Sequence, residues 1–352
     1  MTDSAPTEQI LEPDLPIIDP HHHLWDWPLA LLAALPPLVA KHGFSKVLSG
    51  SLRYLLPEFL ADLNTGHNIR ATVFVQCGAM YRADGPEEFK PIGETEFVNG
   101  IAAMCASGTY GPIRACAGIV GHADLTAGAA VSAVLEAHLK TAGDRFRGIR
   151  HSASYDVDPE VLGPLVRVGP GLYLQKNFRE GYAQLAKYKL SFDAWLLEPQ
   201  LPELIDLARH FPETPIILDH VGTPLGVASY RGRREERFSQ WRDNIRKLAA
   251  LPNVCVKLGG LAMAFCEFPS FLQVPAASSA QLASEWRPYI EACIEAFGVN
   301  RCMFESNFPV DMGSCTYPRL WNAFKVIAKQ YSADEKTALF SGTAQRVYRL
   351  AV

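Results

Sequence analysis

Ile17-Ile18-Asp19-Pro20-His21-His22-His23-Leu24-Trp25 is a short apolar run that turns polar toward its end, and the rest of the chain is read from it. The β-branched Ile17 and Ile18 favour an extended backbone. Side chains alternate along a strand, so His21 and His23 share one face with Asp19 while His22 points the other way. Two imidazoles two residues apart on an inward face converge and can both ligate one divalent ion. An isolated pair of this kind more often only hydrogen-bonds. What the chain places beside it decides between the two.

Seven further runs of strand character follow, at 71–76, 114–120, 147–151, 190–196, 215–220, 253–258 and 301–307. Stretches with helical periodicity lie in most gaps, at 86–106, 125–142, 202–210, 238–251 and 281–297, and two more follow the last strand, at 317–329 and 333–350. Strands alternating with helices imply a parallel sheet, and eight of them with 17–24 included imply a closed (β/α)8 TIM barrel. An open doubly wound sheet is the competitor; it would carry a glycine-rich phosphate turn after an early strand, and none is present. Such a barrel needs ~250 residues, so the remainder goes into an N-terminal tail (1–16), loop insertions at 156–171, 230–237 and 265–280, and an extra C-terminal helix. No linker or repeat divides 17–352, which reads as one domain.

The C-terminal ends of barrel strands form the active face. They carry Asp19, His21 and His23 on the first strand, His151 on the fourth, Asp193 on the fifth, Asp219 and His220 on the sixth, Lys257 on the seventh, and Glu305 and Asn307 on the eighth. Four of the ten histidines fall on this rim although histidine is uncommon in strands, which favours a built site over chance. If His220 points in, Asp219 alternates outward and is structural. His42, His67, His122, His138 and His210 fall in helices or loops and read as surface groups.

Composition narrows the class. The chain has 352 residues, 48% hydrophobic and 20% charged, with 33 Lys+Arg against 37 Asp+Glu for a net charge of -4. That fits a globular protein and excludes a disordered or fibrous one. The acidic balance argues against nucleic acid and anionic membrane as partners. The longest apolar run, 29–40, is cut by Pro36 and Pro37 and is short of the ~20 residues a membrane span needs. Residues 1–16 lack the form of a signal peptide and read as a loose polar tail. The eight cysteines are scattered with no CxxC pair, as buried thiols in a reducing compartment would be, so the expected location is cytoplasmic.

Six motifs in order carry a family resemblance: Ile-Asp-Pro-His-His-His-Leu-Trp-Asp (18–26), Phe-Arg-Gly-Ile-Arg-His (146–151), Ser-Phe-Asp-Ala-Trp (191–195), Ile-Leu-Asp-His-Val-Gly-Thr-Pro (217–224), Val-Lys-Leu-Gly-Gly-Leu (256–261) and Met-Phe-Glu-Ser-Asn-Phe-Pro-Val-Asp (303–311). Together they resemble the amidohydrolase-2 branch of the amidohydrolase superfamily, and within it the metal-dependent hydrolases of the TIM-barrel fold that include sugar-acid and dicarboxylate lactonases. The resemblance implies a (β/α)8 barrel, hydrolysis of C–O bonds in lactones, and decarboxylation in some cousins. It implies His21, His23 and His220 as metal ligands, with zinc or manganese as the metal, although certain lactonases of the group work without one. The superfamily ends its eighth strand with an aspartate that binds metal and acts as general base. This chain has Asn307 there, and an amide cannot take a proton from water. Asp193 is the first substitute; Glu305 lies one layer deeper and Asp311 in the loop above.

The expectation is therefore a lactone-opening hydrolase. His21, His23 and His220 hold a divalent ion or polarise the carbonyl directly, Asp193 activates water, and Lys257 or His151 steadies the oxyanion. Arg53, Tyr54, Tyr81 and Arg82, with Arg179 and Tyr182, are loop residues that would grip a small, carboxylate-bearing substrate, though as loop residues they can equally be solvated. The alternatives are a metal-dependent decarboxylase or oxygenase on the same barrel, and a non-catalytic barrel subunit. A homodimer is possible, since such barrels pair through outer helices.

Overall fold

The computed structural model describes residues 8–35, 40–165 and 168–352. Its centre is a parallel sheet of eight strands in sequential order: β1 (Pro16–His22), β2 (Asn68–Val75), β3 (Arg114–Gly121), β4 (Phe146–Arg150), β5 (Ser191–Ala194), β6 (Ile216–Leu218), β7 (Val254–Leu258) and β8 (Cys302–Phe304). The last strand returns to the first through Asn307 N–H to His21 O (2.9 Å) and His23 N–H to Phe308 O (2.8 Å), so the sheet closes. Every expected strand is present, most of them shorter at the polar end, because there the chain leaves the ladder to carry the site.

A helix follows each strand: α1 (Leu56–Leu63), α2 (Ile92–Ala106), α3 (Ser132–Ala142), α4 (Lys176–Lys187), α5 (Leu201–His210), α6 (Arg234–Ala249), α7 (Ser279–Phe297) and α8 (Tyr317–Ile327). Helices α1 and α4 were not expected from sequence. Helix α6 begins in the basic stretch read as an insertion, because Glu235 and Glu236 in its first turn suit a helix N-terminus. The expected terminal helix is broken into Ala333–Thr337, a π-turn at Ala338–Gly342 and Thr343–Val347.

Apolar side chains fill two shells. The larger lies between strands and helices. The smaller plugs the barrel interior with Ile18, Val73, Val120, Ile217, Met303 and Tyr348. The N-terminal segment from Glu8 onward departs from the loose tail expected. Buried Lys325 of α8 donates to Leu11 O (2.8 Å) and Glu12 O (2.9 Å), and Asn322 donates to Gln9 O and accepts from Leu11 N–H. Residues 1–7 lie outside the described residues. Among the described residues no helix is long and apolar enough to cross a membrane.

Candidate active site

Strand β1 is irregular where it matters. Its pairing with β2 slips between Asp19 and His22, and such a bulge resets which side chains face in. Asp19 consequently faces α8, accepting from the Tyr317 hydroxyl (3.0 Å) and the Ser306 N–H (2.9 Å). This corrects the expectation that it shares a face with His21 and His23. His22 also faces outward, stacked on Phe59 (ring centroids 4.1 Å) with Nε2 2.8 Å from Thr72 Oγ1. His21 and His23 turn into the barrel with their Nε2 atoms 3.3 Å apart. The Nδ1–H of His23 donates to Val75 O (2.8 Å), which leaves its Nε2 as a lone pair.

Strand β6 breaks its alternation too. His220 and Val221 have φ of 57° and 46°, left-handed values that cost a non-glycine residue energy and persist only where the surroundings impose them. The kink brings Asp219 and His220 to the same cluster, so Asp219 is not the outward structural residue expected. The His21 and His220 rings lie 4.5 Å apart. Glu305, just past β8, accepts from His220 through both its backbone N–H (3.1 Å) and ring Nδ1 (2.7 Å). Its other oxygen lies 2.9 Å from His21 Nδ1.

Two cations complete the cluster. Lys257 Nζ sits 3.0 Å from Asp219 Oδ1, 3.1 Å from His21 Nδ1 and 3.5 Å from Asp193 Oδ2. Arg150 of β4 reaches His21 Nε2 (3.3 Å), Asp219 Oδ2 (3.5 Å) and the carbonyl of Gln76, with Trp195 against its guanidinium. Asp193 lies at the inner end of Lys257, where the Tyr348 hydroxyl donates to it (2.8 Å).

Burial governs the titration of these groups. It would raise Glu305, but the His220 and His21 imidazoles outweigh it and hold the carboxyl at about 2. It would raise Asp219, but Lys257 and His21 hold it well below the usual carboxylate range. Asp193 is pushed up to about 6, with Lys257 opposing. His21 is pushed down to about 4 by burial and by Lys257, and His23 well below its ordinary value by burial and by His21. Near neutrality Asp219 and Glu305 therefore face Arg150 and Lys257 as carboxylates.

The donor set suits a divalent cation. Two ligand nitrogens on one ion at ~2.0–2.1 Å lie roughly 3.0–3.4 Å apart, the separation of the His21 and His23 Nε2 atoms. His21, Asp219 and His220 offer ligand atoms all within 4.8 Å of one another, the one such group among the described residues. Of the Asp219 oxygens, Oδ1 pairs with Lys257 (3.0 Å) and Oδ2 has Arg150 nearby (3.5 Å).

The other expected site residues are dispersed. His151 sits beside Phe178 and His122 with Nδ1 accepting from Leu125 N–H (3.2 Å), away from the histidine cluster. Arg150 faces in, so its neighbour His151 faces out. Asn307 donates its amide to Asp311 Oδ1 (2.7 Å). Tyr54 is buried with its hydroxyl on Asp62 (2.6 Å). Arg53 pairs with Glu58 and Arg82 with Glu96 at the surface, while half-exposed Tyr81 stands near Glu94, Cys77 and Arg150. Arg179 pairs with Asp206 and Tyr182 is core. Sequence reasoning missed Arg150, whose one signal was its position next to His151. Of the histidines read as surface groups, His67 and His138 are buried.

A cavity of about 580 Å³ opens above the barrel, between Lys41, Lys46, Glu160, Arg231, Glu267 and Phe271 on the loops after β1, β4, β6 and β7. The Phe265 ring lies between His42 at its edge (5.8 Å) and Trp195 (6.2 Å), the indole that stands against the Arg150 guanidinium.

Comparison with known proteins gives the family of the barrel. The amidohydrolase family model matches residues 18–350. The chain belongs to the amidohydrolase family. It is 33% identical over 344 residues to a Sinorhizobium fredii (strain NBRC 101917 / NGR234) protein named only as uncharacterised y4mH, covering 96% of this chain and 99% of that one. It is 29% identical over 338 residues to the L-fucono-1,5-lactonase of Burkholderia multivorans (strain ATCC 17616 / 249), covering 95% and 96%. A solved Burkholderia multivorans amidohydrolase with bound zinc superposes with a TM-score of 0.70 at 26% identity, over 95% of this chain and 99% of that one. The 5-carboxyvanillate decarboxylase of Sphingomonas paucimobilis shares the fold, with a TM-score of 0.55 at 12% identity over 96% and 100%.

Proposed function

We propose that this amidohydrolase opens a lactone or related cyclic ester by hydrolysis, with His21, His23, His220 and Asp219 holding a divalent ion, zinc or manganese. The observation that carries the reading is the meeting of those four residues at one rim beside the two cations Arg150 and Lys257. The likeness to a protein named L-fucono-1,5-lactonase supports it, and makes a sugar lactone the first substrate to try. When bound, such an ion supplies Lewis-acid polarisation and an acidified water.

The chain's own groups do the rest. The ionised Asp219 carboxylate, paired with Lys257 through Oδ1 (3.0 Å), orients water by accepting a hydrogen bond from it through Oδ2. Arg150, the less deeply buried of the two cations, stabilises charge on the carbonyl oxygen as water adds. Lys257 keeps Asp219 charged in a dry interior and opposes the burial that raises Asp193. Asp193, at about 6, is the group whose affinity suits holding a proton near neutrality, and it reaches the histidines through Lys257. Lys41 and Lys46 on the wall of the cavity above the barrel suit a substrate carrying a carboxylate.

The test is acid release from L-fucono-1,5-lactone and other aldonolactones, followed with a pH indicator, alongside metal analysis of protein purified without chelators. Stoichiometric metal and turnover are expected, and both should vanish in His21→Ala/His23→Ala. Persisting turnover in that variant sinks the mechanism. Asn307 favours a second reading, non-oxidative decarboxylation, which needs no hydrolytic base at strand β8. Carbon dioxide released from an aromatic acid, with no lactone opened, would select it.

A further inference from the structure

Glu305 is the one carboxylate of the cluster that touches two of the imidazoles. Its Oε1 receives both the backbone N–H (3.1 Å) and the ring Nδ1 (2.7 Å) of His220, while Oε2 stands 2.9 Å from Nδ1 of His21. Room for it is made by Gly259, where a methyl group would lie 2.4 Å from Glu305 Cγ. Room for the ring it holds is made by Gly260, where a methyl would lie 2.5 Å from His220 Nδ1. The turn is also tied by Thr223 N–H to His220 O (2.8 Å) and by Trp241 Nε1–H to Val221 O (2.8 Å), but of these partners Glu305 alone engages the His220 ring.

We propose that Glu305 is a positioning residue, which fixes His220 as the Nδ1–H tautomer and helps hold the left-handed turn after β6, so that His220 presents an unprotonated Nε2 to the site. An ionised carboxylate only accepts, so the 2.7 Å contact requires the proton on Nδ1. A ligand histidine whose other nitrogen is so engaged is fixed in both tautomer and direction. For His21 the same carboxylate competes with Lys257 (3.1 Å) for one nitrogen: with the proton on Nδ1 the ring donates to Glu305, and without it the ring accepts from Lys257. Glu305 thereby sets the proton on His220, and with Lys257 it sets that on His21. This role rests on the reading of these histidines as the working imidazoles, but its structural content does not.

The closing experiment is long-range ¹H–¹⁵N correlation on the full chain with ¹⁵N-labelled histidine, at pH 7.5 and without added metal, with the His220 signal assigned from its loss in His220→Gln. Wild type should show His220 protonated on Nδ1. Glu305→Gln should reduce that preference, and Glu305→Leu, which has no acceptor, should move His220 mainly to Nε2–H. Proton on Nε2 in wild type, or an unchanged tautomer in Glu305→Leu, overturns the proposal. Calorimetric titration with zinc chloride is the second readout, with affinity expected to fall roughly 10–100-fold in Glu305→Gln. A wild type that took up no zinc would defeat the metal reading of the site while the tautomer still decided the role of Glu305.

Discussion

At the residue scale the barrel mouth is a set of buried charges whose partners are fixed one by one. Lys257 is fully buried between Asp193 and Asp219. Removing one member of such a set strands the others. Lys257→Met is therefore expected to lose about 3–5 kcal/mol in urea unfolding at pH 7, well beyond what loss of one side chain's packing gives. Glu94 makes a contrasting case outside the cluster. Its Oε1 accepts from Cys77 N–H and Ala79 N–H (both 2.9 Å), and its Oε2 has no partner. Burial raises the carboxyl from 4.5 to about 7. Between those values the native state keeps a proton that the unfolded chain has released, so this group's contribution to stability falls as pH rises through that window and is level above it. Glu94→Gln retains the accepting oxygen and never ionises. It should match wild type near pH 4.5 and exceed it at pH 8 by about 3 kcal/mol, as read from urea midpoints.

At the scale of elements, two departures from regular strand geometry build the site. A bulge in β1 turns His21 and His23 inward, and a left-handed kink after β6 brings Asp219 and His220 together. The kink depends on Gly260, itself at φ 65°, where a methyl would lie 2.4 Å from His220 Cγ. Gly260→Ala should displace the His220 ring and lower stability by about 1–3 kcal/mol, with loss of metal uptake and turnover larger than the loss of stability alone explains. A variant with wild-type metal content and kcat would mean that the kink does not position His220.

At the scale of the whole molecule, the barrel interior is closed from below by its own C-terminus. Tyr348 enters the apolar plug and donates to Asp193 (2.8 Å), linking the end of the chain to the inner end of Lys257. Tyr348→Phe leaves that buried carboxylate short of a donor, at an expected cost of about 1–3 kcal/mol. Because Tyr348 helps hold Asp193 down, the variant should also raise the Asp193 carboxyl further above 6; infrared difference titration of the buried carboxylates would detect it. An unchanged stability would show that Lys257 alone suffices for Asp193.

The strand runs at 17–24 through 301–307, their alternation with helices and the polar residues at their ends made the closed parallel barrel and the meeting of His21, His23 and His220 readable from the chain, because hydrophobic periodicity and rim placement are local properties. Helix α4 escaped notice because its mean character is polar and only Phe178, Gly181, Tyr182 and Leu185 face the core. The facing of Asp19, Asp219, Arg150 and His151 was decided by tertiary structure alone. Alternation predicts facing only within an unbroken strand, and here the bulge, the kink and the contacts across the barrel choose which neighbour turns inward.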